Sequence, residues 1–273
     1  MIYVVPSLKA KEKLQCEGKA WAESQGFAYV PRGKRTIQDL MDEYGEDFLV
    51  YSSRGPQIDR PEGSHFFSLN MAELRIQNLR KGQRDYLLEA LMGVKEYDLR
   101  PAAAQPPISV LDCTCGFGAD AAVASFGLPA GSRVDALEVS PLLEAVTAWG
   151  FSHFVHKKDD VTAALRRISL RCGDYRDYLL SDDGPVYDVL YFDPMFQRPV
   201  EASCQFQPVR AIMEHGGLTR DLIERALQKA RRRVVIKERD FRQLCRDFPD
   251  VALYGGKYSR IGYAVLEGDS WKK

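Results

Sequence analysis

One segment limits the possible folds of this 273-residue chain more than any other. Residues 110–122 read VLDCTCGFGADAA, an apolar run followed by a glycine-containing turn and then by small residues that favour a helix. We predict a buried strand that ends at Asp112, a turn that contains Gly116 and Gly118, and a helix beyond it. Such a unit is typical of open α/β sheets, in which ligands bind beyond the carboxyl ends of the strands.

The pattern along the rest of the chain predicts the fold class and the domain organisation. From residue 108 onward, strand-like runs alternate with helical segments, which indicates an α/β fold with a mostly parallel, Rossmann-like sheet. The last two strand-like runs lie close together, so we expect an antiparallel strand near the C-terminus. Residues 1–70 are predicted to form a small α/β domain, in which residues 55–63 are a polar turn. Residues 71–107 are predicted to be a helical connector and a proline-rich linker, and residues 108–273 the main domain.

Composition excludes several classes of protein. Apolar residues make up 45% of the chain and charged residues 28%, which rules out a disordered or fibrous chain. No apolar run approaches the roughly 20 residues of a membrane span, and the N-terminal residues lack the basic region of a signal peptide. We therefore expect a cytoplasmic protein with no membrane partner. No cysteine pair has CxxC spacing and the four histidines are not spaced as ligands, so we expect free thiols and no metal site.

A second signal lies at the end of the next predicted strand. That strand, RVDALE, ends in Glu138, 20 residues after Gly118. A carboxylate in that position can accept hydrogen bonds from both hydroxyls of an adenosine ribose, each worth roughly 1.5–3 kcal/mol. Two nucleotide cofactors fit these signals, NAD and S-adenosylmethionine. Asp112 favours the second, because a carboxylate at the strand end repels a pyrophosphate and suits the ammonium of a methionine moiety.

The arrangement D-x-x-x-G-x-G, followed by an acidic strand end, resembles motif I of class I S-adenosylmethionine-dependent methyltransferases. The resemblance implies S-adenosylmethionine as the methyl donor and S-adenosylhomocysteine as the product. The ammonium and sulfonium of this donor agree with the 11 acidic and 6 basic residues between Asp135 and Asp193. The resemblance also implies that Asp174 bonds the adenine amino group. Alternatively, Asp174 caps a helix that begins near Tyr175.

The segment YDVLYFDPMFQRP, residues 187–199, indicates the reaction class. A predicted buried strand ends in D-P-M-F, which resembles the [DNS]-P-P-[FYW] motif of methyltransferases that act on exocyclic amines of bases. Such an amine is a poor nucleophile. The Asp193 carboxylate, with a backbone carbonyl beside Pro194, can hold its hydrogens and direct its lone pair at the methyl group. Phe196 offers a face on which an unstacked base can lie. We predict Asp193, Pro194 and Phe196 as the catalytic residues.

The motifs as a set resemble those of one family. D-x-T-x-G-x-G-x-D-A, the acidic strand end, Y-x-D-P-M-F and V-V-I-K-E-R are similar to the bacterial ribosomal RNA small subunit methyltransferase J family over about residues 75–265. The resemblance implies methyl transfer to the N2 of a guanine, with RNA, as 16S rRNA or the small ribosomal subunit, as the partner. The chain departs from the family at Ala119 and Gln197, where the family usually has Arg and Pro, and in its N-terminal domain.

The family resemblance and the glycine turn together define a predicted cofactor site. By match to the family, seven residues fall on cofactor positions: Ala119, Asp120, Glu138, Val139, Gly173, Asp174 and Asp193. The glycine turn contributes the other four predicted residues: Asp112, Thr114, Gly116 and Gly118.

The predicted substrate-binding residues are Phe196, Lys237 and Arg239. The last two lie at the end of the strand-like segment RRRVVIKERD, residues 231–240, and are expected to contact phosphate near the target base. The stretch from Arg198 to Arg246 contains 12 basic and 6 acidic residues, and a basic cluster at residues 32–35 could extend an RNA track. These charges could alternatively be dispersed and solvated. A methyltransferase for DNA or a small molecule, and an NAD-dependent oxidoreductase of similar fold, remain alternatives.

Overall fold

The computed structural model describes residues 1–97, 105–194, 217–256 and 261–268. Within these residues the chain forms two compact units. The first unit contains residues 1–68 and 140–154, and the second contains the other described residues. All described residues of the predicted cofactor and catalytic sites belong to the second unit.

Regular elements account for most of the described chain. The strands are β1 (Tyr3–Pro6), β2 (Ala28–Tyr29), β3 (Phe48–Ser52), β4 (Gly55–Arg60), β5 (Gly63–Phe66), β6 (Ser109–Asp112), β7 (Arg133–Glu138), β8 (Ile168–Cys172), β9 (Val189–Phe192), β10 (Arg233–Glu238), β11 (Ala252–Tyr254) and β12 (Gly262–Glu267). The helices are α1 (Glu12–Ser24), α2 (Ile37–Tyr44), α3 (Asn70–Arg80), α4 (Tyr86–Met92), α5 (Ala119–Gly127), α6 (Pro141–His153), α7 (Asp159–Arg166), α8 (Tyr175–Leu180), α9 (Arg220–Lys229) and α10 (Arg242–Asp247).

The first unit is built on a five-stranded sheet of order β2-β1-β3-β4-β5. Strand β1 is parallel to β2 and β3, whereas β3, β4 and β5 are antiparallel to their neighbours. Helices α1, α2 and α6 pack against strands of this sheet. Val5, Leu40, Phe48 and Val50 form a fully buried cluster within it.

Strand β4 corrects the prediction of a polar turn at residues 55–63. Its residues are buried between β3 and β5, and its polar groups have partners. The Gln57 side-chain amide donates to both carboxylate oxygens of Asp59 at 2.8 and 2.9 Å. The Arg60 guanidinium donates to the carbonyls of Asp59 and Glu46 at 2.8 and 2.6 Å. Because these bonds satisfy the buried polar groups, a segment with the composition of a turn can form an inner strand.

The second unit contains a seven-stranded sheet of order β11-β12-β10-β9-β6-β7-β8. Strands β8, β7, β6, β9 and β10 run parallel to one another, and β12 is antiparallel to both β10 and β11. This topology confirms the predicted fold class, including the antiparallel strand near the C-terminus. Side chains on β6, β9 and β10 form the centre of its apolar core, with Leu111, Phe192 and Val234 fully buried.

The strand order reverses at β6, which lies between β7 and β9. In open α/β sheets the crevice at such a reversal, beyond the carboxyl ends of the strands, is where ligands bind. The predicted glycine turn follows β6 directly, so the fold brings that turn to this crevice. Within the described residues, no helix has both the length and the apolar character needed to cross a bilayer.

Candidate active site at the carboxyl edge of the sheet

The turn between β6 and α5 forms the floor of the site. Asp112 is 2% exposed, and its Oδ1 accepts a 3.1 Å hydrogen bond from the Thr114 N–H. Gly116 and Gly118 have φ values of 54° and 75°, in the left-handed region that side chains strain to adopt. Gly118 caps the N-terminus of α5, so Ala119 begins the helix beside the turn. The predicted strand–turn–helix unit is therefore present, and the predicted glycines occupy the turn positions that have a positive φ.

The Asp112 carboxyl has an unusual electrostatic environment. Burial raises its pKa well above the ordinary value, and the charges of Asp120 and Asp193 raise it further. The Thr114 N–H bond and Lys237 act in the opposite direction. A cation placed against Asp112 would replace the missing solvation of the carboxylate, which is the environment that a ligand ammonium needs.

Glu138 joins the end of β7 to the glycine turn. It is 7% exposed, and its Oε2 accepts a 2.8 Å hydrogen bond from the Gly116 N–H. The Cys115 N–H donates to the Leu137 carbonyl at 2.9 Å, and the Gly173 N–H donates to the Glu138 carbonyl at 3.0 Å. The ends of β6, β7 and β8 are thus bonded into one surface, which brings the predicted residues from these three strands together.

Asp174 lies where the end of β8 meets α8. Its Oδ1 accepts the Arg176 N–H at 2.8 Å as the helix cap, and the Arg176 guanidinium bonds both of its carboxylate oxygens. The hydrogen bond from Arg176 lowers the pKa of Asp174. The capping alternative is therefore what the structure contains, and a contact with adenine stays a prediction. Val139 follows β7 and is half-buried, with its carbonyl 3.9 Å from the Cys172 thiol.

Asp193 directly follows β9 and is bonded to the glycine turn. Its backbone N–H donates to the Thr114 hydroxyl at 2.7 Å, and its side chain is 29% exposed. Pro194 is half-buried beside it. Phe196, the predicted surface for the base, lies outside the described residues. The structure thus brings the first residue of the D-P-M-F string next to the glycine turn.

Lys237 lies between two carboxylates. Its ammonium is 2.8 Å from Asp120 Oδ2 and 2.7 Å from Asp193 Oδ2, and 16% of its side chain is exposed. The register explains the second contact: Ile236 on β10 is opposite Phe192 on β9, so the next residues of the two strands are neighbours. Lys237 was predicted to contact phosphate, but its charge is directed at these two protein groups.

The Asp120 carboxylate is bonded on both oxygens. The Tyr191 hydroxyl donates to its Oδ2 at 2.7 Å, and the Arg75 guanidinium bonds its Oδ1. Arg75 also makes a bidentate pair with Asp85 at 2.7 and 2.8 Å. Burial opposes ionisation of Asp120, but Lys237 and Arg75 outweigh it and hold its pKa well below the ordinary value. The role of Asp120 in cofactor binding stays a prediction, since these contacts are with protein groups.

Two residues that bond Asp120 directly were not predicted from the sequence. Tyr191 lies two residues before Asp193, on the same face of β9, and the period of a strand could have indicated it. Arg75 lies on α3, 45 residues from its partner Asp120, and no local pattern indicates that pair.

The basic residues of the two units differ in their surroundings. In the first unit Arg32 is 8% exposed, and the Arg35 guanidinium is paired with Glu43 at 2.5 Å. Of the three cations expected in the basic cluster at residues 32–35, Arg32 is therefore buried and Arg35 is paired, whereas Lys34 is exposed. In the second unit Arg239 is exposed and follows β10 at the carboxyl edge of the sheet, with its backbone N–H bonded to Glu238 Oε1 at 2.7 Å. Its predicted contact with phosphate stays a prediction.

A sheet that reverses at β6, with buried carboxylates at the strand ends beside a glycine turn, is the arrangement of a class I S-adenosylmethionine-dependent methyltransferase. Comparison with known families agrees with this class. A family model described as "Putative SAM-dependent methyltransferase" matches residues 80–261, and the chain belongs to that family. S-adenosylmethionine is accordingly its cofactor.

Individual relatives match most of the chain. Protein YpiP of Bacillus subtilis is 28% identical over 236 residues, which cover 86% of this chain and 88% of the relative. The ribosomal RNA small subunit methyltransferase J of Dechloromonas aromatica is 28% identical over 235 residues, 85% of each chain. The crystal structure of the SAM-dependent methyltransferase NGO1261 from Neisseria gonorrhoeae covers 98% of this chain and 96% of its own, with a TM-score of 0.63 and 17% identity. That last likeness supports the fold.

Proposed function

We propose that this protein transfers a methyl group from S-adenosylmethionine to an exocyclic amine of an RNA base, the N2 of a guanine in small-subunit rRNA. One observation carries the proposal: Asp193, which begins D-P-M-F, donates its backbone N–H to the hydroxyl of Thr114 in the glycine turn. An acceptor for amine hydrogens therefore lies beside the residues that would hold the methyl donor.

The residues at the strand ends fit the methyl donor. Asp112 is a buried carboxylate whose pKa is raised by burial, which suits an ammonium. Glu138 is a buried carboxylate at the next strand end, which suits the ribose hydroxyls. Gly173 and Asp174 follow the third strand, where the adenine would lie. A residue with a side chain would be strained at position 116, because the backbone there has a positive φ. Glycine at this position also leaves the backbone accessible to the ligand.

The chain's own contribution to the reaction is positioning and proton handling. The bound donor supplies a methyl group already activated by the positive sulfur. Asp193 would accept a hydrogen bond from the amine and so direct the nitrogen lone pair at that methyl group. Burial raises the pKa of Asp193, with Asp120 adding to the effect and Lys237 opposing it. A carboxylate of raised pKa can also take up the proton that the amine loses when the new N–C bond forms.

Two further observations support RNA as the substrate. Several relatives carry the name ribosomal RNA small subunit methyltransferase J, and two of them cover 85% and 72% of this chain. The exposed Arg239 lies just beyond β10, on the same edge of the sheet as Asp193. A cation there would contact the backbone of an RNA whose base is turned toward the site.

The test is methyl transfer from radiolabelled S-adenosylmethionine to small ribosomal subunits from a strain that lacks this gene. Nucleoside mass spectrometry of the labelled RNA should give N2-methylguanosine, with no label in subunits from the parent strain. Asp193→Ala should abolish transfer while S-adenosylhomocysteine binding persists.

Controls separate the substrate from the chemistry. Naked 16S rRNA, the large subunit and duplex DNA are offered in parallel, each at the same concentration. Label in a different nucleoside would overturn the assigned base, and label only in DNA would overturn the assigned class of substrate. Activity of Asp193→Ala equal to that of the wild type would overturn the role of the D-P-M-F string.

A further inference from the structure

We infer that Lys237 is a positioning residue for Asp193: its ammonium fixes one carboxylate oxygen, keeps the group ionised and leaves the other oxygen to face the amine. This inference rests on the proposed function for the role of Asp193, but it makes a separate claim about two side chains of this protein. It replaces the expectation that Lys237 contacts the phosphates of the substrate.

The first support is the way in which Asp193 is held. The ammonium lies 2.7 Å from Asp193 Oδ2, within the range of a charge-assisted hydrogen bond. Within the described part of the chain, Asp193 Oδ1 has no hydrogen-bond partner. The Thr114 hydroxyl fixes the backbone of the same residue at 2.7 Å. The backbone and the side chain of Asp193 are thus each held at one point. Oδ1 is the carboxylate oxygen that remains to accept a hydrogen bond from the amine.

The second support is the way in which Lys237 itself is held. It also bonds Asp120 Oδ2 at 2.8 Å, and Asp120 is fixed by Tyr191 on one side and Arg75 on the other. With only 16% of its side chain exposed, Lys237 cannot follow a flexible ligand as a surface lysine would. Asp120 therefore acts as a rigid counter-charge that determines where the Lys237 ammonium lies.

The third support is the charge balance of the buried network. Arg75 already forms a bidentate pair with Asp85 and bonds Asp120, so its positive charge is shared by two carboxylates. Lys237 is the cation in contact with Asp193 among the described residues. Without it, Asp193 would face the negative Asp120 across a buried space, and two such carboxylates favour protonation of one of them.

The pH dependence of the Lys237–Asp193 pair is set by the charged and titratable groups around it. Five other groups surround Asp193, Lys237 and Asp120, and each comes from a different element: Arg75 on α3, Asp112 on β6, Tyr191 on β9, Glu238 on β10 and Tyr263 on β12, while Asp85 pairs with Arg75. Burial raises the pKa of both tyrosines above their ordinary values, so they stay neutral over the working range. Removal of Lys237 should therefore be compensated by proton uptake on a carboxylate. Asp193 is the group to take up the proton, because it loses the ammonium that bonds its Oδ2, whereas Asp120 keeps its pair with Arg75.

The experiment measures the pKa of Asp193 directly, without any substrate. Protein is labelled with aspartate that carries ¹³C at the side-chain carboxyl carbon, and the Asp193 signal is assigned by its absence in Asp193→Asn. In Lys237→Met the pKa of Asp193 should rise by about 1–3 pH units. Lys237→Arg, which keeps the charge, should leave it within about half a unit of the wild-type value, and Lys237→Gln is the second neutral variant in case Lys237→Met does not fold.

A matched control lies on the same strand. Arg233 is a buried cation at the opposite end of β10, 8% exposed, and it bonds the Leu91 carbonyl at 3.3 Å. Arg233→Met removes a buried positive charge from the same strand, so it should lower stability but leave the pKa of Asp193 unchanged. An effect of Arg233→Met equal to that of Lys237→Met would show that loss of a strand cation, not the pair with Asp193, causes the shift.

Activity then tests the consequence. At saturating cofactor and RNA, Lys237→Met should lower kcat by at least about tenfold, move the acidic limb of the pH profile to higher pH, and change the KM for RNA by less than about threefold. An unchanged pKa of Asp193 in Lys237→Met and Lys237→Gln overturns the inference, whatever the activity. A raised KM with normal kcat also overturns it and restores the phosphate contact. Wild-type protein that methylates no RNA, together with a shifted pKa of Asp193, overturns the proposed function and leaves the inference standing.

Discussion

The hydroxyl of Thr114 accepts a 2.7 Å hydrogen bond from the backbone N–H of Asp193. Thr114 belongs to the turn that follows β6, and Asp193 follows β9, the neighbouring strand of the sheet. One bond thus joins the loop that is predicted to hold the methyl donor to the loop that is predicted to hold the methyl acceptor. We expect the distance between the methyl donor and the amine to depend on that bond, because it links the two loops directly.

Thr114→Val should therefore impair the reaction more than binding. Valine keeps the shape of threonine but leaves the Asp193 N–H without its acceptor, which costs about 1–3 kcal/mol and corresponds to a roughly 5- to 150-fold lower kcat. S-adenosylhomocysteine affinity, measured by titration calorimetry, should change by less than about threefold. Thr114→Ser restores the hydroxyl and should recover most of the activity. Equal losses in both variants would show that the methyl group of Thr114, and not its hydroxyl, matters.

Glu138→Gln isolates the charge at the end of β7. The glutamine oxygen can still accept the Gly116 N–H, so the turn should keep its shape, but the hydrogen bonds to the ribose lose their charge. We expect S-adenosylhomocysteine to bind about 1.5–3 kcal/mol more weakly, roughly 10- to 150-fold. Glu224→Gln, on an exposed face of α9, is the control and should bind normally. Wild-type affinity in Glu138→Gln would remove this residue from the cofactor site.

Asp112 should link cofactor binding to proton release. In the free protein, burial raises its pKa, and a bound ammonium would lower that pKa again. Between the two pKa values the bound form holds fewer protons, so binding releases protons and affinity falls as pH drops through the free-protein pKa. Calorimetry of S-adenosylhomocysteine binding in buffers of different ionisation enthalpy, from about pH 8 to about pH 5, measures both effects.

Two controls define the source of these protons. Asp112→Asn should bind S-adenosylhomocysteine more weakly and without proton release over the same range. 5′-Methylthioadenosine, which has no ammonium, should bind the wild-type protein without releasing protons. Proton release that persists in Asp112→Asn would assign the linkage to another group.

Arg75→Met should destabilise the second unit strongly. It leaves Asp85 and part of the charge of Asp120 buried without their cation, and removal of one partner of a buried pair costs about 3–5 kcal/mol. Urea denaturation followed by circular dichroism measures the loss. The comparison is Arg220→Met, which breaks an exposed pair with Glu224 and should have little effect on stability. Similar losses in the two variants would mean that the buried network contributes little to stability.

The part of the site that the sequence predicts is local. Asp112, Glu138 and Asp193 each end an apolar strand, and parallel strands bring such ends to one edge, so chain position alone predicts that they meet. The alternation of strands and helices likewise predicts a mostly parallel sheet, but it does not predict the order of the strands. These signals need no knowledge of which side chains touch.

The part that the sequence does not predict depends on contacts between distant segments. Lys237 looks like an ordinary cation at a strand end, and only the register of β10 against β9 shows that its ammonium reaches Asp193. Strand β4 has the composition of a turn, and only the bonds of Gln57 and Arg60 show why it lies inside a sheet. In both cases the polar groups find partners that a single segment does not contain.

Arg239 is expected to contact a phosphate of the RNA, and a single substitution tests this contact. Arg239 is exposed at the edge of the sheet that carries Asp193. Each cation that binds a phosphate releases counterions, so Arg239→Ala should reduce the slope of log affinity against log salt concentration by about 1. S-adenosylhomocysteine affinity should not change. Arg225→Ala, an exposed arginine on α9, serves as the matched surface control. A salt slope that is the same in Arg239→Ala and in the wild type would mean that this arginine is solvated in the complex and that phosphate contacts come from other residues.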